Sequence, residues 1–509
     1  MAGIGFSLKK LFSKKGIFSL CKAYGYSGIV TIGPMLLGII FLCGIAMLSQ
    51  SIGISDYKRH ILNCSLTYSL MFAFFITSIF DMVVTRYVSD RLYEDKKDKV
   101  MPSFYGAVSL ELVICLITYT PILIASVENF LQLILCLWFA MILMVVWTEM
   151  IYITALKDFS SIVISFTISL MSGFLLALIM IVLGMASMEG FLLSVTVAYG
   201  ILATRMYMLM LDYFPKSSGS NYSFLRYIDR YPELLVSSFL MKVGLLGHVL
   251  IMYFGPLKVQ YRGLFYGAPE YEVPALMAFA SILISTINFV VSVEVNFYPK
   301  YSNYYGLFAY KGAIKDIKLA EKDMLRVLSR ELAYLGSKQV FATIIFIVVG
   351  TPLVEILFPG VSSLSLAIYK LLCVGYGVYA IANSVLLIEL YFDDYTGALI
   401  GSLLFSAISV GVTIWQIIFG NEQFYGMGFF AGVIIFYFYI ITRLNWYSRR
   451  LPYYLLSKQN LVQTEEKGIF VSISKKLEEA QAREDLKWKS KEPILSNAGG
   501  SNSGGGANQ

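Results

Sequence analysis

An ionisable side chain held near the centre of a hydrocarbon layer costs several kcal/mol unless it is paired or wetted, so charges inside long apolar runs are the first residues to weigh. Glu111 lies about ten residues into the apolar run 102–126, roughly 15 Å deep at 1.5 Å per residue. Its helical neighbours Ala107, Cys115 and Thr118 are small or polar. A carboxylate there can carry a proton or cation along a cavity, or it can belong to a structural ion pair. Arg205, Lys242, His248 and Lys370 are also deep, and each is a possible counter-charge for it. Asp81, Glu149, Glu294, Lys338 and Glu389 stand nearer the ends of their runs, where snorkelling to water favours a structural role.

Two stripes suit a different chemistry. Ser281, Ser285, Asn288 and Ser292 recur at helical spacing in one run, and Tyr369, Tyr376, Tyr379 and Asn383 share a face in another. Aromatic rings offer a flat apolar platform to a sugar face, and hydroxyls and amides exchange hydrogen bonds with sugar hydroxyls. Ordinary polar helix packing explains the same stripes. The transport-path candidates are therefore Glu111, Arg205, Lys242, His248, Ser285, Asn288, Glu294, Lys370, Tyr376, Tyr379 and Asn383.

Other chemistries lack their residues. Cys21, Cys43, Cys64, Cys115, Cys136 and Cys373 show no CxxC spacing, and with His60 and His248 alone there is no histidine-rich metal site. No GxxxxGK[ST] phosphate loop is present, so an ATP-driven pump would need a separate motor subunit. Gly375, Gly377 and Ala380 imitate a dinucleotide fingerprint inside an apolar run with no strand before it. The Gly397/Gly401 and Gly428/Gly432 pairs read as close-packing helix faces. Asp393 and Asp394 form an isolated acidic pair. No catalytic group, metal or cofactor is expected.

The elements that must carry these residues follow from composition. Of 509 residues, 57% are apolar and 14% charged, with a mean hydropathy of +0.70, against about 25% charged in a soluble domain. Too little charge remains to coat soluble domains, and a polytopic all-α membrane protein is expected. Spanning about 30 Å of hydrocarbon takes about 20 apolar residues as a helix. Twelve such segments are found, near 26–49, 62–84, 102–126, 131–154, 160–184, 190–212, 233–254, 273–296, 337–358, 364–389, 397–419 and 427–446. The second, tenth and eleventh carry enough Ser, Thr, Asn and Gly to face protein or water more than lipid.

Lys and Arg concentrate in cytoplasmic loops. With the N-terminus placed inside, 32 of the 40 basic residues fall on that side, and only Lys58, Arg59, Lys258 and Arg262 fall in outer loops. Both termini are expected in the cytoplasm, and the net charge of +7 reads as a topology signal with no nucleic-acid partner. Residues 4–20 read as an amphipathic helix on the inner leaflet, within an N-terminal segment 1–25. A six-helix lobe is expected over 26–232 and another over 233–447, the latter with a surface helix at about 312–334. The tail 448–509 reads as charged and helical to about 490, flexible from about 496.

The opening MAGIGFSLKKLF, followed by KAYGYSGIVTIGP, strongly resembles the start of the PelG family of exopolysaccharide transporters, and VEVNFYPKYSNYYG from Val293 to Gly306 is similar to that family's segment after the eighth span. The resemblance covers the twelve-span layout. It implies membership of the superfamily of multidrug extruders and lipid-linked oligosaccharide flippases, with two six-helix lobes around a central cavity in a bacterial inner membrane. It further implies polysaccharide cargo of Pel type, rich in N-acetylhexosamine, and a role in biofilm matrix formation. The implied partners are a cytosolic glycosyltransferase and membrane subunits, one of which senses cyclic di-GMP. The alternative is the same fold with other cargo: an ion-coupled flippase of lipid-linked oligosaccharides, or a cation extruder. A membrane-embedded glycosyltransferase is disfavoured, because the longest polar segments are too short for a nucleotide-sugar domain.

Overall fold

In lipid every backbone amide must find its partner within the chain, so apolar segments of this length become helices. The computed structural model describes residues 37–156, 159–309, 312–357, 361–457 and 468–498, together with Gly33. The amphipathic segment expected at 4–20 and the start of the first span lie outside the described residues. Among the described residues eleven helices are long and apolar enough to cross a membrane, and the piece of the first expected span, α1 (Leu37–Ser51), is shorter.

After α1 come α2 (Asp56–Tyr93), α3 (Val100–Ser126), α4 (Phe130–Leu156), α5 (Phe159–Val182) and α6 (Met188–Tyr213). A connection containing the short α7 (Arg226–Arg230) leads to α8 (Pro232–Met252). Two strands, β1 (Val259–Arg262) and β2 (Phe265–Gly267), form an antiparallel hairpin that pairs Val259 with Gly267 and Gln260 with Tyr266. In the sequence this segment reads only as an outer loop. Beyond it are α9 (Pro269–Phe279), α10 (Ile282–Val290), a wide-turned segment Val291–Phe297 and α11 (Tyr298–Ala309). Then follow α12 (Ile314–Leu357), α13 (Ser363–Tyr391), α14 (Tyr395–Phe419), α15 (Met427–Ser448), α16 (Leu451–Ser457) and α17 (Ile469–Ala498).

The eighth expected span, 273–296, lies within a longer one, Pro269–Phe308, which opens for two residues between α9 and α10, where Gln339 Nε2 donates to the Ser281 carbonyl at 3.3 Å. One expectation is corrected. The surface helix at 312–334 and the span at 337–358 are one 44-residue helix, α12, roughly 65 Å long. Nothing near Gly336 supplies a cap or a proline that would stop it. The helix expected in the tail is α17, which runs to Ala498.

Buried apolar side chains form two cores. One draws on residues from Phe41 to Leu234 and adds a single outsider, Phe265; the other runs from Met241 to Leu451. Helix starts are capped by Ser187 onto Gly190 N, Ser362 onto Ser365 N and Asp394 onto Gly397 N. In the second core α15 lies close on α14, because a Cβ at Gly428 would meet Thr413 Oγ1 at 2.2 Å and one at Gly432 would meet Ser409 N at 2.9 Å. The glycine pair read as a packing face is one.

Candidate functional site

The cores meet along a seam in which α2 runs antiparallel to α8. Tyr68 stacks on Tyr253 at 6.1 Å near one end, Phe75 meets Phe239 at 6.4 Å in the middle, and the Arg86 guanidinium lies 5.7 Å over the Tyr231 ring at the other end. The last is the basic end, where Arg86, Arg91, Arg226 and Arg443 gather. Helix α2 turns Ile61, Leu62, Leu66, Ala73, Ile76, Phe80, Val83 and Val84 into the first core. Its less buried face carries Asn63, Thr67, Leu70, Phe74, Asp81 and Thr85. At 3.6 residues per turn these six share a narrow stripe. Four of these six are polar, a composition that suits a helix face turned to protein or water.

Away from the basic end, the β1–β2 hairpin latches the seam. It leaves the second core after α8 and buries Phe265 completely in the first. Tyr68 O–H lies 3.0 Å from the Tyr266 carbonyl, and the same oxygen accepts from Tyr266 N at 3.0 Å. Leu264 N donates to Ser126 Oγ at 3.0 Å, and Arg262 lies 3.6 Å from Glu128. Gly263 has φ +52, and a Cβ there would sit 1.9 Å from the Ala125 carbonyl oxygen. Only glycine allows that left-handed turn to press on a helix end. At the hairpin's base Tyr253 O–H donates to Glu272 at 2.6 Å.

The basic end is joined by charge. Arg86 pairs with Asp393 at 3.0 Å and with Asp90 at 3.3 Å, and its guanidinium also lies over the Tyr395 ring. Arg443 holds Asp394 through two hydrogen bonds, at 2.7 and 2.9 Å. The acidic pair read as isolated is thus doubly partnered, by arginines 307 and 49 residues away. Asp90 also accepts from Tyr227 O–H at 3.1 Å on the connection between lobes, and burial pushes the Tyr227 hydroxyl up to about 12, which keeps it a donor. Helix α17 docks on that connection: Val471 N donates to Asp229 at 2.7 Å, Arg226 pairs with Glu478 at 2.6 Å, and Ser474 O–H donates to the Tyr222 carbonyl at 3.1 Å.

Most of the expected path residues face into a lobe. Glu111 is buried and accepts from Thr148 O–H at 2.7 Å; none of the four basic candidates pairs with it among the described residues. His248 lies in the second core with Nδ1 2.7 Å from Tyr271 Oη and Nε2 3.4 Å from Tyr376 Oη. Tyr376 and Tyr379 pack on Phe429 and Phe405. Ser285 O–H donates to Gln339 at 2.6 Å and Lys338 to Asn288 at 2.8 Å, so this stripe zips α10 to α12. Arg205 is half-buried on α6, Asn383 half-buried on α13 and Lys370 exposed on α13. The Glu294 side chain lies outside the described residues. Lys242 is the exception that reaches the seam, its Nζ 4.6 Å over the Phe74 ring. The residues missed were the hairpin with Phe265, Tyr68, the Arg86–Asp393 pair, and Phe74 with Trp147. The alternation VQYR-GL-FYG around a glycine is the signal that could have found the hairpin.

Residues 1–456 match the family described as "PelG: Putative exopolysaccharide Exporter (EPS-E)", so α17 lies beyond the matched part. No curated protein matches the chain in sequence. Among solved structures the chain is similar to a mutant of the Vibrio cholerae MATE transporter VcmN, at 13% identity over 89% of this chain and 98% of that one, with a TM-score of 0.60. A MOP-superfamily transporter from Pyrococcus furiosus is similar at 10% identity, 89% and 99% coverage and a TM-score of 0.58. The eukaryotic MATE transporter AtDTX14 is similar at 11%, 90% and 98%, with a TM-score of 0.57. Family and fold are those of transporters, not enzymes. The chain belongs to the PelG family of exopolysaccharide exporters and carries the fold of MATE and MOP-superfamily transporters.

Proposed function

We propose that the chain exports a Pel-type, N-acetylhexosamine-rich polysaccharide across a bacterial inner membrane, through the crevice between two six-helix lobes, 26–232 and 233–447. In this reading the basic end faces the cytoplasm. There the chain works with a cytosolic glycosyltransferase and with membrane subunits, one of them a cyclic di-GMP receptor, to supply biofilm matrix. The family match over residues 1–456 carries the reading. The polar stripe of α2 at the seam supports a path for a hydroxyl-rich cargo. Charge limits what that cargo can be. Moving one positive charge outward against an inside-negative potential costs about 2.3 kcal/mol per 100 mV. Export of the acetylated, neutral polymer before any deacetylation is therefore favoured over export of a polyamine. Deleting the chain while the synthase stays active should abolish surface polysaccharide and leave polymer at the inner face. Unchanged surface polysaccharide sinks the reading, and synthase-independent transport of drugs or lipids in liposomes would replace it with an extruder or lipid flippase.

A further inference from the structure

Lys242 is the one deep charge that reaches the seam among the described path candidates. It stands about ten residues into α8, roughly 15 Å from that helix's start. Its ammonium rests on the face of Phe74, 4.6 Å from the ring centroid, and it has no ion-pair partner among the described residues. A ring face stabilises a cation without using up its three N–H donors. Phe74 belongs to the less buried stripe of α2, so the ammonium and the crevice meet at the same level. Phe74 also meets the Trp147 ring from α4 in a T-shaped contact, at 6.2 Å between centroids and an interplanar angle of 74°. Trp147 is 40% exposed in the middle of a helix otherwise packed on that side. Asp81 follows Phe74 two helical turns along the same stripe and likewise has no ion-pair partner among the described residues.

We infer that Lys242, Phe74 and Trp147 form a station that holds one neutral pyranose ring of the passing chain, an inference that rests on the polysaccharide reading above. The exposed indole takes the apolar face of the ring, and the Lys242 ammonium donates to a hydroxyl or acetamido carbonyl oxygen at its edge. Lys242 disfavours a cationic sugar at the station, in keeping with a neutral cargo.

The test uses the purified full chain in nanodiscs, with N-acetylglucosamine oligomers as the probe and binding read by saturation-transfer NMR. Wild type should bind. Trp147→Ala and Lys242→Met should each weaken binding about tenfold or more, while Trp147→Phe retains most of it. Trp138→Ala, on the opposite side of α4 and also exposed, should leave binding unchanged. If wild type binds and the Trp147 and Lys242 variants bind equally well, the station is wrong and the polysaccharide reading stands. If wild type binds no oligomer, the polysaccharide reading falls and takes the station with it.

Discussion

At the end of the seam away from the basic residues, the lobes are joined by a hairpin that leaves one core and buries a phenylalanine in the other; at the basic end they touch through Arg86 and Asp393, each about a third exposed. Burying Phe265 is worth about 1.5–3 kcal/mol, and each of the hairpin's backbone hydrogen bonds adds about 1 kcal/mol. A half-exposed ion pair is worth about 0–1 kcal/mol and weakens with salt. The apolar latch excludes water and holds one geometry, whereas the ionic clasp can exchange its partners for water at little cost. On these magnitudes the basic end is the weaker of the two closures.

Expelling the hairpin should have the largest effect. Gly263→Val combines a φ of +52 with a Cβ driven into the Ala125 carbonyl, so the turn cannot seat. In a cysteine-free background carrying Ser126→Cys, labelling by a membrane-impermeant maleimide should rise roughly tenfold or more over the same background with Gly263. Phe265→Ala keeps the turn and removes the anchor, costing about 3–5 kcal/mol. Its labelling should fall between the two. Equal protection in all three would mean that the hairpin does not close this end.

The contrast also separates what the sequence makes legible from what it hides. Hydropathy locates the spans, because length and apolarity are local properties, and the Ser, Thr and Asn content of 62–84 sets the second span apart from a lipid-facing helix. The latch was hidden because its strands are only four and three residues long and their partners, Tyr68 and Ser126, lie about 140 to 200 residues away. Depth could be counted for His248, Tyr376 and Tyr379, but not which way each helix turns. They face Tyr271, Phe429 and Phe405 inside one lobe rather than the crevice. Glu111 meets Thr148, a neutral hydroxyl 37 residues on, and not one of the deep basic residues.

The clasp has a support that the latch lacks, and a smaller perturbation tests it. Asp229 caps the start of α17 through Val471 N, and the same short connection places Tyr227 on Asp90, which in turn holds Arg86. Asp229→Ala should cost about 1 kcal/mol at that cap. The tail should become several-fold more sensitive to limited proteolysis near Gly468, while protection of Ser126→Cys at the opposite end stays unchanged. A change at both ends would show that the closures are not independent, and the comparison would fail.

The smallest effect on stability belongs to the clasp itself, and this makes it the most telling. Arg86→Gln should change overall stability by no more than about 1 kcal/mol, because both partners are well hydrated when separated. It should nonetheless loosen the rings around it. The rings of Tyr231 and Tyr395 lie 5.3 Å apart, centroid to centroid, across the junction, so cross-linking Tyr231→Cys to Tyr395→Cys with a short flexible bifunctional thiol reagent reports how often the basic end is shut. Arg86→Gln should slow that cross-link, as should 0.5 M salt acting on the wild-type pair. The double exchange of Arg86→Asp with Asp393→Arg restores opposite charges across the junction but places two carboxylates, at 86 and 90, one turn apart. Recovery of the cross-link should therefore be partial. Full insensitivity to all three would show that the rings, and not the ion pair, close the basic end.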